Sequence, residues 1–183
     1  MNKWWISLGF FAFVGAAIFV IDGSAQSDNQ KPTQTNTAVD AGNATTIAQE
    51  DWQFVLPNNN WSEVKNTVND LIKVAIENYA TGCKIMFIKE QTSNSFGAYV
   101  EENLNSIRNI GAIVKSISQV PINDNQFDLV EAHRPDSVVY AWITLKKDVG
   151  YVFTCGGKVS VDAGNVSTMQ NACFSIANTL IIK

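Results

Sequence analysis

Charge is scarce in this chain of 183 residues, because Asp, Glu, Lys and Arg together make up 16% of it, against about a quarter in an ordinary soluble chain. Histidine occurs once, at His133, cysteine three times and proline four times. Each shortage excludes something. So little charge beside 46% hydrophobic residues rules out the highly charged disordered class. Three Cys in 183 residues do not make a disulfide-dense scaffold, and 11 Gly do not make a collagen repeat. A formal net charge of −4 provides no basic footprint for phosphate, so nucleic acid is not expected as a partner. A single His and three separated Cys offer no CxxC, HxxxH or HExxH spacing, so no metal ligand set and no cofactor are expected. The polar quota is filled by 19 Asn and 25 Ser plus Thr.

What is present divides the chain into three parts. Residues 1–25 carry Lys3, then an uncharged apolar run from Trp4 to Ile21, then Gly23-Ser24-Ala25. A cationic start, an apolar centre and a small-residue end are the parts of a secretory signal, with cleavage expected after Ala25. Lys3 before the run and Asp22 after it place the rest of the chain outside the cytoplasm. An uncleaved anchor is the rival reading, since 18 apolar residues at a rise of about 1.5 Å span a bilayer core. Cleavage makes the protein periplasmic or associated with the outer membrane; retention makes it an inner-membrane anchored protein facing the periplasm, held to the membrane through its N-terminus only. The first Cys is Cys83, so no lipidation site follows the apolar run.

Residues 26–50 are rich in Gln, Asn, Thr, Ser, Asp and Ala and hold no aromatic residue, which predicts a flexible polar linker. Residues 51–183, 133 in all, are enough for one domain with a real core. Trp61, Val64, Val68, Leu71, Ile72, Ala75, Ile76 and Tyr79 fall at helical spacing, with Asn60 as N-cap and Gly82 at the far end, and predict a helix over 61–80. A strand over 84–89 follows, then a helix opening at Thr92-Ser93-Asn94-Ser95, with Phe96, Val100, Leu104 and Ile107 on its apolar face and Gly111 at its end. Ala112 to Ser118 alternates like a strand, and 119–136 reads as a loop with at most one short strand. Val138 to Leu145 is the strongest strand signal, returning through Tyr151 to Cys155, with Gly156-Gly157 as a tight turn into a third strand over 158–162. Residues 166–183 combine helical spacing at Met169, Ala172, Cys173 and Ile176 with a closing strand over 179–182. The expected fold is α+β, a small, mainly antiparallel sheet with two or three helices packed on it.

No constellation of catalytic residues emerges, and the chain is expected not to be an enzyme. Cys155 with His133 is the sharpest nucleophile and base pairing, but no local signature surrounds either residue. Asp124 with Asp128, and Glu101 with Glu102, read as a solvated loop and a charged helix face. The sequons at Asn43, Asn60 and Asn165 match the number that chance provides in so Asn-rich a sequence. In an oxidising compartment two of the three Cys can pair, and Cys155 with Cys173 is the favoured pair, buried free thiols being the alternative. Tyr140, Trp142 and Tyr151 are either bulky core residues or an exposed strand face, with Trp61 and Trp142 leaning to the core. Were Val138 to Leu145 an edge strand, its backbone could accept another chain.

The strand KIMFIK, the segment SNSFGAYVEENLNSIRNIGAIV and the run VVYAWITLKKDVGYVFTCGGKVSVDAG, within residues 83–183, resemble the exported TrbH-type conjugal transfer proteins of type IV secretion systems. Two departures stand beside the likeness: the lipidation Cys of many such proteins is absent, and a long helix is predicted ahead of the matching region. The resemblance implies a non-enzymatic structural or assembly subunit of a bacterial type IV secretion, conjugation-like envelope complex, with the complex's other subunits as partners. A stand-alone secreted or periplasmic binding or inhibitor module is the alternative.

Overall fold

In a computed structural model, residues 44–64, 70–159 and 163–183 are described. The apolar run from Trp4 to Ile21, the cleavage position Ala25 and most of the expected linker lie outside them. Among the described residues, no helix is long and apolar enough to cross a membrane.

Seven strands form one antiparallel sheet: β3 (Trp61–Glu63), β4 (Ile72–Asn78), β5 (Cys83–Gln91), β6 (Ile113–Ile122), β7 (Asn125–Arg134), β8 (Ser137–Lys146) and β9 (Val149–Lys158), in the order β3-β4-β5-β9-β8-β7-β6. Helix α1 (Phe96–Asn109) covers one face. Helix α2 (Ala163–Ala177) and a second sheet of β1 (Thr45–Ala48), β2 (Trp52–Leu56) and β10 (Ile181–Ile182), in the order β1-β2-β10, cover the other. The fold is α+β, as expected, with two helices among the described residues, but its sheet is much larger than the small one the sequence implied.

Side-chain alternation divides the core between the two faces. On β9, Tyr151, Phe153 and Cys155 point to α2 and the small sheet, while Val152 points to α1. Trp52, Phe54, Phe87, Phe153, Tyr140, Trp142 and Phe174 form a continuous aromatic cluster, with the Trp52 and Phe87 rings 4.3 Å apart. Helix α1 begins where its sequence says it should: the Ser95 hydroxyl accepts a hydrogen bond from the Ala98 amide at 3.4 Å, and Gly111 leaves the helix at φ +79°.

Five expectations are corrected. Over 61–80 the chain forms β3 and β4 at the ends of that range, because both faces of β4 are covered and its apolar residues therefore do not alternate, which imitates a helical stripe. Gly82, expected as a helix end, has φ +68° in the turn between β4 and β5, where the Asn78 side chain accepts from the amides of Ala80 and Thr81. Residues 119–136, expected as loop with at most one short strand, hold the end of β6 and the whole of β7, joined by a turn at Asn123 with φ 51°. Gly156 and Gly157 lie within β9 rather than in a turn: a Cβ on Gly156 would stand 2.2 Å from the Val138 carbonyl oxygen, and one on Gly157 2.5 Å from that of Gly82. The ordered domain also starts ahead of Asp51, because β1 pairs with β2 inside the stretch expected as linker.

Candidate functional site

The three aromatics weighed as an interaction surface are core residues. Tyr140 and Trp142 are 2% exposed and Tyr151 4%. Strand β8, which carries the first two, is not an edge: β7 and β9 pair with it on either side, so its backbone cannot accept another chain. Tyr140 and Trp142 pack edge-on against Phe174 of α2. Tyr151 donates to the Asp51 carboxylate at 3.0 Å, where Lys89 also pairs at 2.6 Å. Burial pushes the Tyr151 hydroxyl up to about 12, assisted by the hydrogen bond and charge of Asp51. Burial alone would raise Asp51, but Lys89 and Tyr151 outweigh it and hold the carboxyl below its ordinary range. Trp61 is half-buried and packs on the rim of the core.

The exposed strand edge is β6. It is ten residues long and, among the described residues, pairs only with β7, and its burial falls away from Lys115 to Gln119, where every residue is exposed. Ile113 is 62% exposed and Ile117 48%, two of the most exposed large apolar residues described. A register irregularity between Val114 and Ser116 turns the strand so that Ile113, opposite His133, and Ile117, opposite Val130, stand on opposite faces of the sheet. Lys115, Pro121 and that irregularity are devices that keep an edge from pairing indiscriminately. Between them, residues 116–120 carry no charged side chain, and their backbone groups facing away from β7 have no strand partner among the described residues. Beside it Glu131 and His133 of β7 make a 2.6 Å pair, and Ser116 donates to Glu131 at 3.4 Å, giving the edge a fixed polar rim.

The cysteines converge. Cys155 of β9 and Cys173 of α2 are bonded, with Cα atoms 5.5 Å apart. Cys83 of β5 remains a thiol whose Sγ lies 3.4 Å from Cys155 Sγ and 3.8 Å from Cys173 Sγ. Burial pushes the Cys83 thiol up to about 12, against a smaller pull from the Gly156 backbone. The linear spacing that argued against a ligand set could not show this grouping, because three separate elements bring the sulfurs together. Cys155 and His133 are not assembled as a nucleophile and base: β8 separates their strands by two sheet spacings, about 10 Å, Cys155 is bonded to Cys173, and His133 is held by Glu131. Glu101 pairs with Arg108 at 2.7 Å, and Glu102 accepts from Asn94, so the two carboxylates are engaged separately along α1.

No protein-family model matches this sequence, and no curated protein does. Among solved structures, the chain is similar to cyanobacterial PsbP (CyanoP) from Synechocystis sp. PCC 6803, with a TM-score of 0.61 at 10% identity over 84% of this chain and 100% of that one. It is also similar to the Saccharomyces cerevisiae Ran-binding protein Mog1p, with a TM-score of 0.54 at 10% identity over 76% of this chain and 95% of that one. At such identities the likeness is one of fold.

Proposed function

We propose that the protein is an exported, non-enzymatic docking subunit of a bacterial envelope complex of the type IV secretion kind, and that it accepts an extended segment of a neighbouring subunit along β6. The observation that carries the reading is the edge itself: a ten-residue strand, paired on one side only among the described residues, with Ile113 and Ile117 exposed. An added strand would satisfy the free backbone groups of β6, and the two isoleucines would supply apolar side-chain contacts on both faces. The signal-like N-terminal segment supports export, and the resemblance of residues 83–183 to TrbH-type proteins supports the class of complex. The Mog1p fold serves a Ran-binding protein, so partner binding is compatible with this fold, and a stand-alone binding module is the second reading.

Gentle solubilisation of native membranes tests the proposal. The wild-type chain should migrate within a large assembly, and the variant carrying Ile113→Lys and Ile117→Lys should migrate alone while remaining folded. Wild-type protein migrating alone would leave the binding-module reading in its place.

A further inference from the structure

The geometry points to a buried all-sulfur site for a soft monovalent metal ion, Cu(I), formed by Cys83, Cys155 and Cys173 with Met169 alongside once the Cys155–Cys173 bond is reduced. The three Sγ atoms lie within 4.8 Å of one another, in residues at most 1% exposed. Metal–sulfur bonds of about 2.3 Å separate the sulfurs of a trigonal site by about 4 Å. Cys83 already stands at 3.4 and 3.8 Å from the other two, so most of the movement falls on the bonded pair. Met169 is four residues before Cys173 and therefore on the same side of α2. Its methyl carbon would lie 3.2 Å from a Cβ on Gly157, the register partner of Cys83, which brings a thioether to the same corner of the core. Thiolate and thioether are soft ligands that suit Cu(I), zinc and iron–sulfur clusters, and three close sulfurs match the low coordination number of Cu(I). Zinc would ask for a fourth strong ligand to complete its tetrahedron, whereas Trp52, Phe153 and Ile176 of the same core carry no metal-binding atom.

The chemistry has two steps. A dithiol passes two electrons and two protons to the Cys155–Cys173 bond and becomes a disulfide itself, leaving three thiols in the cluster. Cu(I) then binds, and each sulfur that coordinates as thiolate releases its proton to solvent, which relieves the resistance of the buried Cys83 thiol to ionisation. Exchange with a disulfide, which takes up two electrons and two protons and becomes a dithiol, re-forms the Cys155–Cys173 bond and closes the site, so metal capture is gated by redox state. The site is independent of the β6 edge, and neither proposal falls with the other.

The test uses the full chain, reduced with a dithiol, freed of it anaerobically and titrated with Cu(I) against a chromophoric Cu(I) chelator, with near-ultraviolet circular dichroism followed in parallel. Reduced protein should take one Cu(I) per chain and keep its folded spectrum, while the oxidised protein takes none. Cys83→Ser should weaken binding at least ~100-fold, and Met169→Leu about tenfold, with the oxidised forms of both variants as stable as wild type. Cys83→Ala replaces the serine variant if that fails to fold. Equal Cu(I) affinity in wild type and the Cys83 variant would overturn the proposal, and so would a reduced protein that loses its folded spectrum or yields all its copper to the chelator.

Discussion

At Trp142 a single side chain distinguishes a core from a contact surface. It is 2% exposed and packs against Tyr140, Phe153 and Phe174. Trp142→Ala should therefore lower the unfolding free energy by about 3–5 kcal/mol, read from urea denaturation. A residue serving mainly as a partner contact would leave it nearly unchanged. Glu90 gives a test with a pH signature. It is 9% exposed, and burial raises its carboxyl, with the charge of Glu102 adding to the rise and the Tyr99 hydroxyl opposing it. A carboxyl with a raised folded-state pKa binds its proton more tightly in the native state, so its contribution is fully present below the unfolded value of about 4.3 and is lost as pH rises through the folded one. Glu90→Gln should thus stabilise the protein at neutral pH, and thermal melts of the two proteins should converge as pH falls towards 4. Asp51 has the opposite sign: its lowered pKa contributes stability above the ordinary aspartate range that is lost on acidification.

Among the elements, β6 combines length, exposure and a free edge. Ile113→Lys with Ile117→Lys should change the unfolding free energy by no more than about 0.5 kcal/mol per site, since both side chains already face solvent, while abolishing strand addition. Helix α1 was legible because its signals were local: a serine cap, a stripe of Tyr99, Val100, Leu104 and Ile107, and a glycine stop. Strand β8 was legible because β-branched and aromatic residues fill it. Strand β4 was not, since a strand covered on both faces loses its alternation and can fall into helical spacing by chance. The first part of β6, up to Ser118, was legible as a strand, but the rest of the β6–β7 hairpin was hidden, since Gln119, Pro121 and the Asn123-Asp124-Asn125 run read as loop although the backbone of Gln119 and Pro121 pairs with β7. Gly156 and Gly157 looked like a turn because close backbone approach and tight turning draw on the same residue. Of the candidate site, the favoured cysteine pair was readable from the sequence, but the place of Cys83 beside it depends on β5, β9 and α2 meeting.

For the molecule as a whole, both faces of the sheet are covered and the aromatic core is closed. β3, the other edge of the large sheet, is only three residues long, so the long edge of β6 is where the fold offers most backbone to a partner. The side chains of Asn123, Asn125 and Lys146 donate to the carbonyls of Leu180 and Ile182, tying the β6–β7 hairpin and the end of β8 to the small sheet, so that the edge is presented on a braced frame. The measurement that tests this account most directly is site-specific photocrosslinking in cells, with the photoreactive residue placed at Ser118 on β6 or at Glu101 on the exposed side of α1. The account predicts one discrete crosslinked partner from Ser118, an envelope subunit, lost when Ile113 and Ile117 are both changed to Lys, and no such product from Glu101. A product from Glu101 alone, or one from Ser118 that survives the double substitution, would contradict it.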